Sequence, residues 1–322
     1  VQYTNGNNQL IKMEGQEIGG RDYTLTYADN RNVGTATITI HGQGNFEGTR
    51  EQTFIIKRRG IGTATANLTV TKYKYTGKEI VPILRLEMDK LEGAVGEKVT
   101  LTKGQDYEIR FDPDGINAGK VKLLITGINN YEGEVSPEPE VEITPFSLTD
   151  SYITLEHINT EVEYTGKALE ASDLEIRIRR RDENVLLTED EDYTVEVTGT
   201  DTVNATGEEL TVTITGKKNY KDSITRKVTI TKCDIGKLAD NGLLSIKSTT
   251  NAPGSNEYDF LDGLEVSDKY YEYDNGKEVK PQFIIEREGV PLTLNEWSVT
   301  YGNNKEIGDS AYAIIKGEGN YT

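Results

Sequence analysis

Four short stretches of the chain alternate apolar with polar residues at a period of two: DYTLTY (22–27), DYEIRF (106–111), DYTVEV (192–197) and EWSVTY (296–301). Tyr23/Leu25/Tyr27, Tyr107/Ile109/Phe111, Tyr193/Val195/Val197 and Trp297/Val299/Tyr301 fall on one side of each stretch. That period places one set against a core and the other in water, as in a half-buried strand. A turn-rich interval follows, then a second alternating segment that ends on glycine: ATITIHG, VKLLITG, LTVTITG and AYAIIKG. Its expected inward residues are Ala36/Ile38/Ile40, Val121/Leu123/Ile125, Leu210/Val212/Ile214 and Ala311/Ala313/Ile315. An Asn–aromatic step comes next, at Asn45–Phe46, Asn130–Tyr131, Asn219–Tyr220 and Asn320–Tyr321. Closing strands are visible in three of the four, TFIIK (53–57), VEITP (141–145) and KVTIT (227–231).

The pattern is an internal repeat. Successive aromatic steps lie 85, 89 and 101 residues apart, and a marker YTGK recurs at 75–78 and 164–167, with looser forms at 3–6 and 273–277. Units of this size, made of short strands between Gly/Asn/Asp turns and without a long helical period, predict an all-β chain. The expected architecture is an elongated tandem array of immunoglobulin-like β-sandwich repeats, with a β-grasp-like unit as the alternative. The expected divisions are 1–59 (a partial first repeat), 60–144, 145–232, and 233–322, the last with an insertion and no closing strand. Such a last repeat would leave a sheet edge that is either frayed or completed by another chain. The junctions KRRGIG (57–62) and TPFSLTD (144–150) are short and should limit bending.

YTGK (75–78), L-x-x-G-x-DY (101–107), N-x-G (117–119) and I-x-G-x-x-NY (125–131) together resemble the immunoglobulin-like repeats of large surface proteins of Gram-positive gut bacteria. The resemblance covers nearly the whole chain. It implies an extracellular, cell-wall-associated setting. Repeats of this kind are carried by adhesins, glycan-degrading enzymes and anchoring stalks alike.

Composition narrows the function classes. The formal charge of −18, with no basic stripe to offset it, argues against a nucleic-acid partner. The cluster Arg177, Arg179, Arg180, Arg181 sits among acids and reads as a strand face ending in a charged turn. A single cysteine, Cys233, rules out an intrachain disulfide and a cysteine-rich zinc site. No apolar run of the length a membrane helix needs is present, so no membrane insertion is expected.

Several stretches invite a chemical reading, and the repeat alignment answers most of them. DPDGIN (112–117) resembles the start of a calcium loop, but Gly115 and Leu123 stand at the wrong positions for one. Its counterparts DNRNVG (29–34), DTVNATG (201–207) and NNKEIG (303–308) are connections between paired strands. The acidic TEDEDY (188–193) aligns with the non-acidic TKGQDY (102–107) and reads as a solvated loop. His41 and His157 lie in different repeats without repeated partners, and no nucleophile elbow or Cys–His pairing exists, so neither catalysis, a metal nor a cofactor is expected. Trp297 aligns with Tyr23, Tyr107 and Tyr193 and is expected in a core rather than on a sugar platform. The triplets NLT (67–69), NAT (204–206) and NYT (320–322) match glycosylation acceptors but would stay bare in a bacterial protein.

The least repeat-like stretch, 233–273, makes its repeat about 20 residues longer than the preceding one. Insertions on a rigid scaffold often carry binding surfaces. Tyr258, Phe260, Tyr270 and Tyr271 are the candidate partner-binding residues, for a host protein or glycan. The functional expectation is a non-catalytic structural or adhesive stalk that spaces another domain from a cell wall. The alternatives are a binding module and an ancillary region of a glycan-active enzyme.

Overall fold

The computed structural model describes residues 2–4, 10–12, 15–16, 21–91, 96–248, 260–261, 275–308 and 311–322. The protein is all-β. Its helical segments among these residues are one turn of 3-10 helix, Ala171–Leu174, and one short α-helix, Ile235–Asp240. The chain divides into two compact units, Val1–Phe146 and Ser147–Thr322, and each contains two copies of the repeated strand pair.

The register of that pair is the same in all four copies. Tyr23 lies opposite Gly42, Tyr107 opposite Gly127, Tyr193 opposite Gly216 and Trp297 opposite Gly317. The alternation read from sequence is therefore the real pleat, and Tyr107–Asp112 and Tyr193–Thr198 each start on a buried tyrosine and alternate thereafter. The terminal glycines are steric requirements. A Cβ on Gly127 would sit 2.7 Å from the Glu132 nitrogen, and one on Gly216 would sit 2.5 Å from the Lys221 nitrogen. The chain just after each aromatic step crosses directly over these glycines.

In the first unit, Lys98–Leu101, Leu84–Asp89 and Thr65–Leu68 form a three-stranded sheet in that order. Tyr107–Asp112, Gly119–Gly127, Glu140–Thr144 and Lys72–Lys74 form a four-stranded one. Both sheets send side chains into one core, with Leu86, Met88 and Leu101 from the first packed with Val121, Leu123, Ile125, Val141 and Ile143 from the second. Two sheets over a shared core make a sandwich, and each fully buried aliphatic side chain contributes about 1.5–3 kcal/mol. Upstream, Gly15–Gln16, Tyr23–Ala28, Gly34–Gly42 and Thr49–Ile56 form a four-stranded sheet whose inner face is only partly covered, with Phe54 and Tyr27 near 40% exposed. Gln2–Thr4 and Leu10–Lys12 make a separate antiparallel pair.

The second unit repeats the sandwich. Ile153–His157, Arg177–Arg180 and Val185–Leu186 form one sheet; Glu161–Glu163, Ser223–Thr231, Glu209–Gly216 and Tyr193–Thr198 form the other. Leu174, Ile178, Leu210, Val212, Ile214 and Val228 are buried. His157 is the last residue of the strand Ile153–His157. Downstream, Phe260–Leu261, Leu244–Ser248, Phe283–Arg287 and Val290–Pro291 make a sheet beside the pair Trp297–Gly302 and Tyr312–Gly317. Trp297 is a core residue, buried with Ile235 and Ile285. The strand Tyr312–Gly317 pairs on one side only among the described residues. Ala311 and Ala313, expected inward, are exposed.

The YTGK marker is a hydroxyl-closed turn. The Thr76 hydroxyl accepts from the Lys78 N–H at 3.2 Å and Thr165 accepts from Lys167 at 3.3 Å. Gly77 and Gly166 take φ of 81° and 83°, which suits glycine.

Candidate functional site

The asparagines of two Asn–aromatic steps, Asn130 and Asn320, play one recurring role, which is to join a repeat to the one before it. In the first unit, Asn130 reaches back to the turn at 29–34. Its Oδ1 accepts from the Val33 N–H at 2.9 Å and its Nδ2 donates to Asn32 Oδ1 at 3.0 Å. In the second unit, Asn320 makes the same pair of bonds, accepting from the Ala205 N–H and donating to Asn204 Oδ1, both at 2.8 Å. One amide thus satisfies a backbone donor and a side-chain acceptor of the preceding repeat's turn.

The main chain of the same asparagine holds the linker. The Asn130 carbonyl accepts from the Arg59 N–H, and the Glu132 carbonyl accepts from the Ile61 N–H, both at 2.9 Å. The Asn320 carbonyl accepts from Cys233 at 2.9 Å, and the Thr322 carbonyl accepts from Ile235 at 3.0 Å. Each corner therefore ties three pieces together: the previous repeat's turn, the linker and the next repeat. The turn is itself prepared for this. Asp201 accepts from the Val203 and Asn204 N–H groups at 2.9 Å and from Asn204 Nδ2 at 2.8 Å, which fixes the orientation of the Asn204 amide. These bonds, led by that from the Asn204 backbone, hold the Asp201 carboxyl below its usual range. Asp114 accepts in the same way from Ile116 and Asn117.

The corner of the second unit carries further contacts. Tyr164 packs edge-on against Tyr321 with ring centroids 5.5 Å apart. Arg287 donates to the Tyr164 carbonyl at 3.1 Å and hydrogen-bonds the Tyr321 hydroxyl. Cys233 is buried beside them. Burial, together with its hydrogen bond to Glu163, pushes its thiol up to about 12.

The stretches singled out in the sequence fall as follows. DPDGIN is the connection between Tyr107–Asp112 and Gly119–Gly127, closed on Asp114. The acidic run at 188–193 takes the same loop as 102–107: Thr188 and Thr102 each donate to an aspartate four residues on, Asp192 at 2.9 Å and Asp106 at 2.8 Å. His41 is half-exposed, 3.0 Å from the Thr26 hydroxyl, and His157 lies near Asn159 and Glu175. Among the described residues, no group of three His, Cys, Asp or Glu side chains is placed to hold a metal ion. A hollow lined by Val162, Leu169, Val203 and Ile230 measures about 10 Å³, room for one water and far below a ligand pocket. Tyr258, Tyr270 and Tyr271 lie outside the described residues. Phe260 is in a short strand, its backbone opposite Lys247, and its side chain also lies outside them.

The arginine cluster holds one feature that the sequence hid. Arg180 is 3% exposed and makes a two-pronged ion pair with Asp182 at 2.8 and 2.9 Å. Burial alone would favour its neutral form, but the hydrogen bonds to Asp182 and Tyr220 outweigh that and keep it charged. Met88 holds the matching core position in the preceding repeat, two residues beyond Leu86 as Arg180 is two beyond Ile178.

No family model matches the chain, and no curated protein is significantly similar to it.

Proposed function

We infer that the chain is a non-catalytic spacer of a bacterial cell-surface protein, a stalk segment built of tandem immunoglobulin-like repeats. The observation that carries this reading is the repeated three-way corner at Asn130 and Asn320. In both units the same asparagine side chain is spent on fixing one repeat to the next. A linker tied at its backbone and braced by the preceding turn has little freedom to swing, which is what a spacer requires. The extracellular setting follows from the sequence resemblance, and the partners of each repeat are its neighbours in the array.

Small-angle X-ray scattering tests the spacing directly. A single compact globule of this length has a radius of gyration of about 20 Å. The spacer reading expects a value well above that, unchanged by moderate salt; a value near 20 Å overturns it.

A further inference from the structure

The first and last parts of each complete sandwich are joined in parallel. Lys72, Tyr73 and Lys74 lie opposite Glu142, Ile143 and Thr144, and Glu161, Val162 and Glu163 lie opposite Thr229, Ile230 and Thr231. The flanking bonds are short: Glu142 N–H to Thr71 C=O at 2.8 Å, Tyr75 N–H to Thr144 C=O at 2.9 Å, and in the second sandwich Thr229 N–H to Thr160 C=O and Tyr164 N–H to Thr231 C=O, both at 2.9 Å. The first pair is reinforced by the Thr144 hydroxyl on the Tyr73 carbonyl at 3.1 Å and by a Lys72–Glu142 ion pair at 2.9 Å.

Direction matters here because of where the chain enters and leaves. In each case one strand lies near the start of its repeat and the other is the last strand before the next linker. Tension along the chain pulls the early strand toward the N-terminus and the late strand toward the C-terminus. For parallel strands those two pulls run in opposite senses along the common axis, so every bond between them is loaded at once, in shear. Strands pulled apart from one shared end would instead lose their bonds one after another. Ile143 and Ile230, 1% and 7% exposed, back these bonds on the core side and keep water from competing for them there. The strand pairs at 23–56 and 297–317 have no such parallel partner from the opposite end of their repeat among the described residues.

We propose that the pairs 72–74/142–144 and 161–163/229–231 are mechanical clamps, so that this chain holds tension applied along its length as well as spacing its ends. The proposal rests on the spacer reading for its purpose, but not for its test.

Single-molecule stretching of the whole chain between handles at its two ends reads the clamps. Two events at distinctly high force are expected, each releasing about 260 Å of chain at ~3.6 Å per residue. Release of every repeat in one low-force band overturns the proposal. A second geometry needs no disruptive variant: handles on Glu161→Cys and Thr229→Cys pull the second clamp apart crosswise, and rupture should then occur at severalfold lower force. Equal forces in the two geometries overturn it. Val162→Pro removes a backbone donor from the middle of one clamp, and it should abolish one high-force event while the other, at 72–74/142–144, persists as an internal control; two persisting high-force events count against the clamp. High-force events in a chain that scatters as a compact globule would sink the spacer reading and leave the clamps standing. The converse result would do the opposite.

Discussion

Asn204 and Asn320, 116 positions apart, face one another amide to amide, with Asn320 Nδ2 donating to Asn204 Oδ1 at 2.8 Å. The Ala205 N–H completes the contact from the same turn. Partly buried hydrogen bonds of this kind contribute about 1 kcal/mol each. Asn320→Ala should therefore destabilise the second unit by about 1–2 kcal/mol, read from its urea midpoint. Because the two amides share one bond, a double-mutant cycle with Asn204→Ala should show a coupling of about 0.5–1 kcal/mol. Strict additivity would mean that the corner is not a coupled device.

Arg180 offers a sharper contrast. It is buried but Asp182 lies at the surface, so truncating the arginine leaves a carboxylate that water can solvate. The loss is chiefly that of the buried stem filling the core, about 2–5 kcal/mol for a large-to-alanine change. Arg180→Ala should approach that loss. Arg180→Met, which reproduces the residue at the matching position of the preceding repeat, should cost less than half as much by restoring apolar packing. Equal losses in the two variants would show that the charge, and not the filled volume, is what the site needs.

The same pair gives a pH signature. The hydrogen bond from Arg180 is the chief cause holding the Asp182 carboxyl below its usual value. The folded chain thus binds fewer protons at this site than the unfolded chain does near pH 4. Its contribution is fully present above the ordinary carboxylate pKa and is lost as pH falls through the lowered one. Denaturant midpoints at pH 7 and pH 3 should fall further apart in the natural chain than in Asp182→Asn, and identical differences would refute the assignment.

Cys233 should be chemically silent while the protein is folded. A thiol pushed up to about 12 by burial and by Glu163 is almost wholly protonated at pH 8, and the protonated form is a poor nucleophile. Ellman's reagent should titrate no thiol in the native protein and one per chain in guanidinium. Fast native labelling would show that the corner opens.

Much of the strand framework was legible because a period of two and a terminal glycine are local signals. The aromatic–Gly register holds in all four copies, and the closing strands at 49–56, 140–144 and 223–231 lie where alternation put them. The Asn–aromatic step was visible as a marker, but its purpose was not. Asn130 and Asn320 act on residues 97–116 positions earlier, and nothing in the local pattern names a partner that distant. Arg180 was hidden for another reason: an arginine in a charged run reads as solvated until a neighbouring aspartate and a distant tyrosine hydroxyl are brought around it. The helix Ile235–Asp240 went unread because six residues carry too little periodicity. Its one local signal is Asp234, whose side chain accepts from the Gly236 and Lys237 N–H groups.

The corner has two dissimilar halves, an Asn-bearing turn and an Asn–aromatic step, and the first three repeats each carry both within their own sequence, at Asn32/Asn45, Asn117/Asn130 and Asn204/Asn219. Duplicating one repeat therefore copies a plug and a socket together. A head-to-tail contact of this type joins two unlike surfaces, so each added copy presents a fresh half to the next. A gene for such a chain can gain or lose copies without inventing a new interface each time, so length becomes a quantity that selection can adjust in whole steps. The fourth repeat has Glu306 where the plug asparagine would stand, and there the copied connection no longer has its amide.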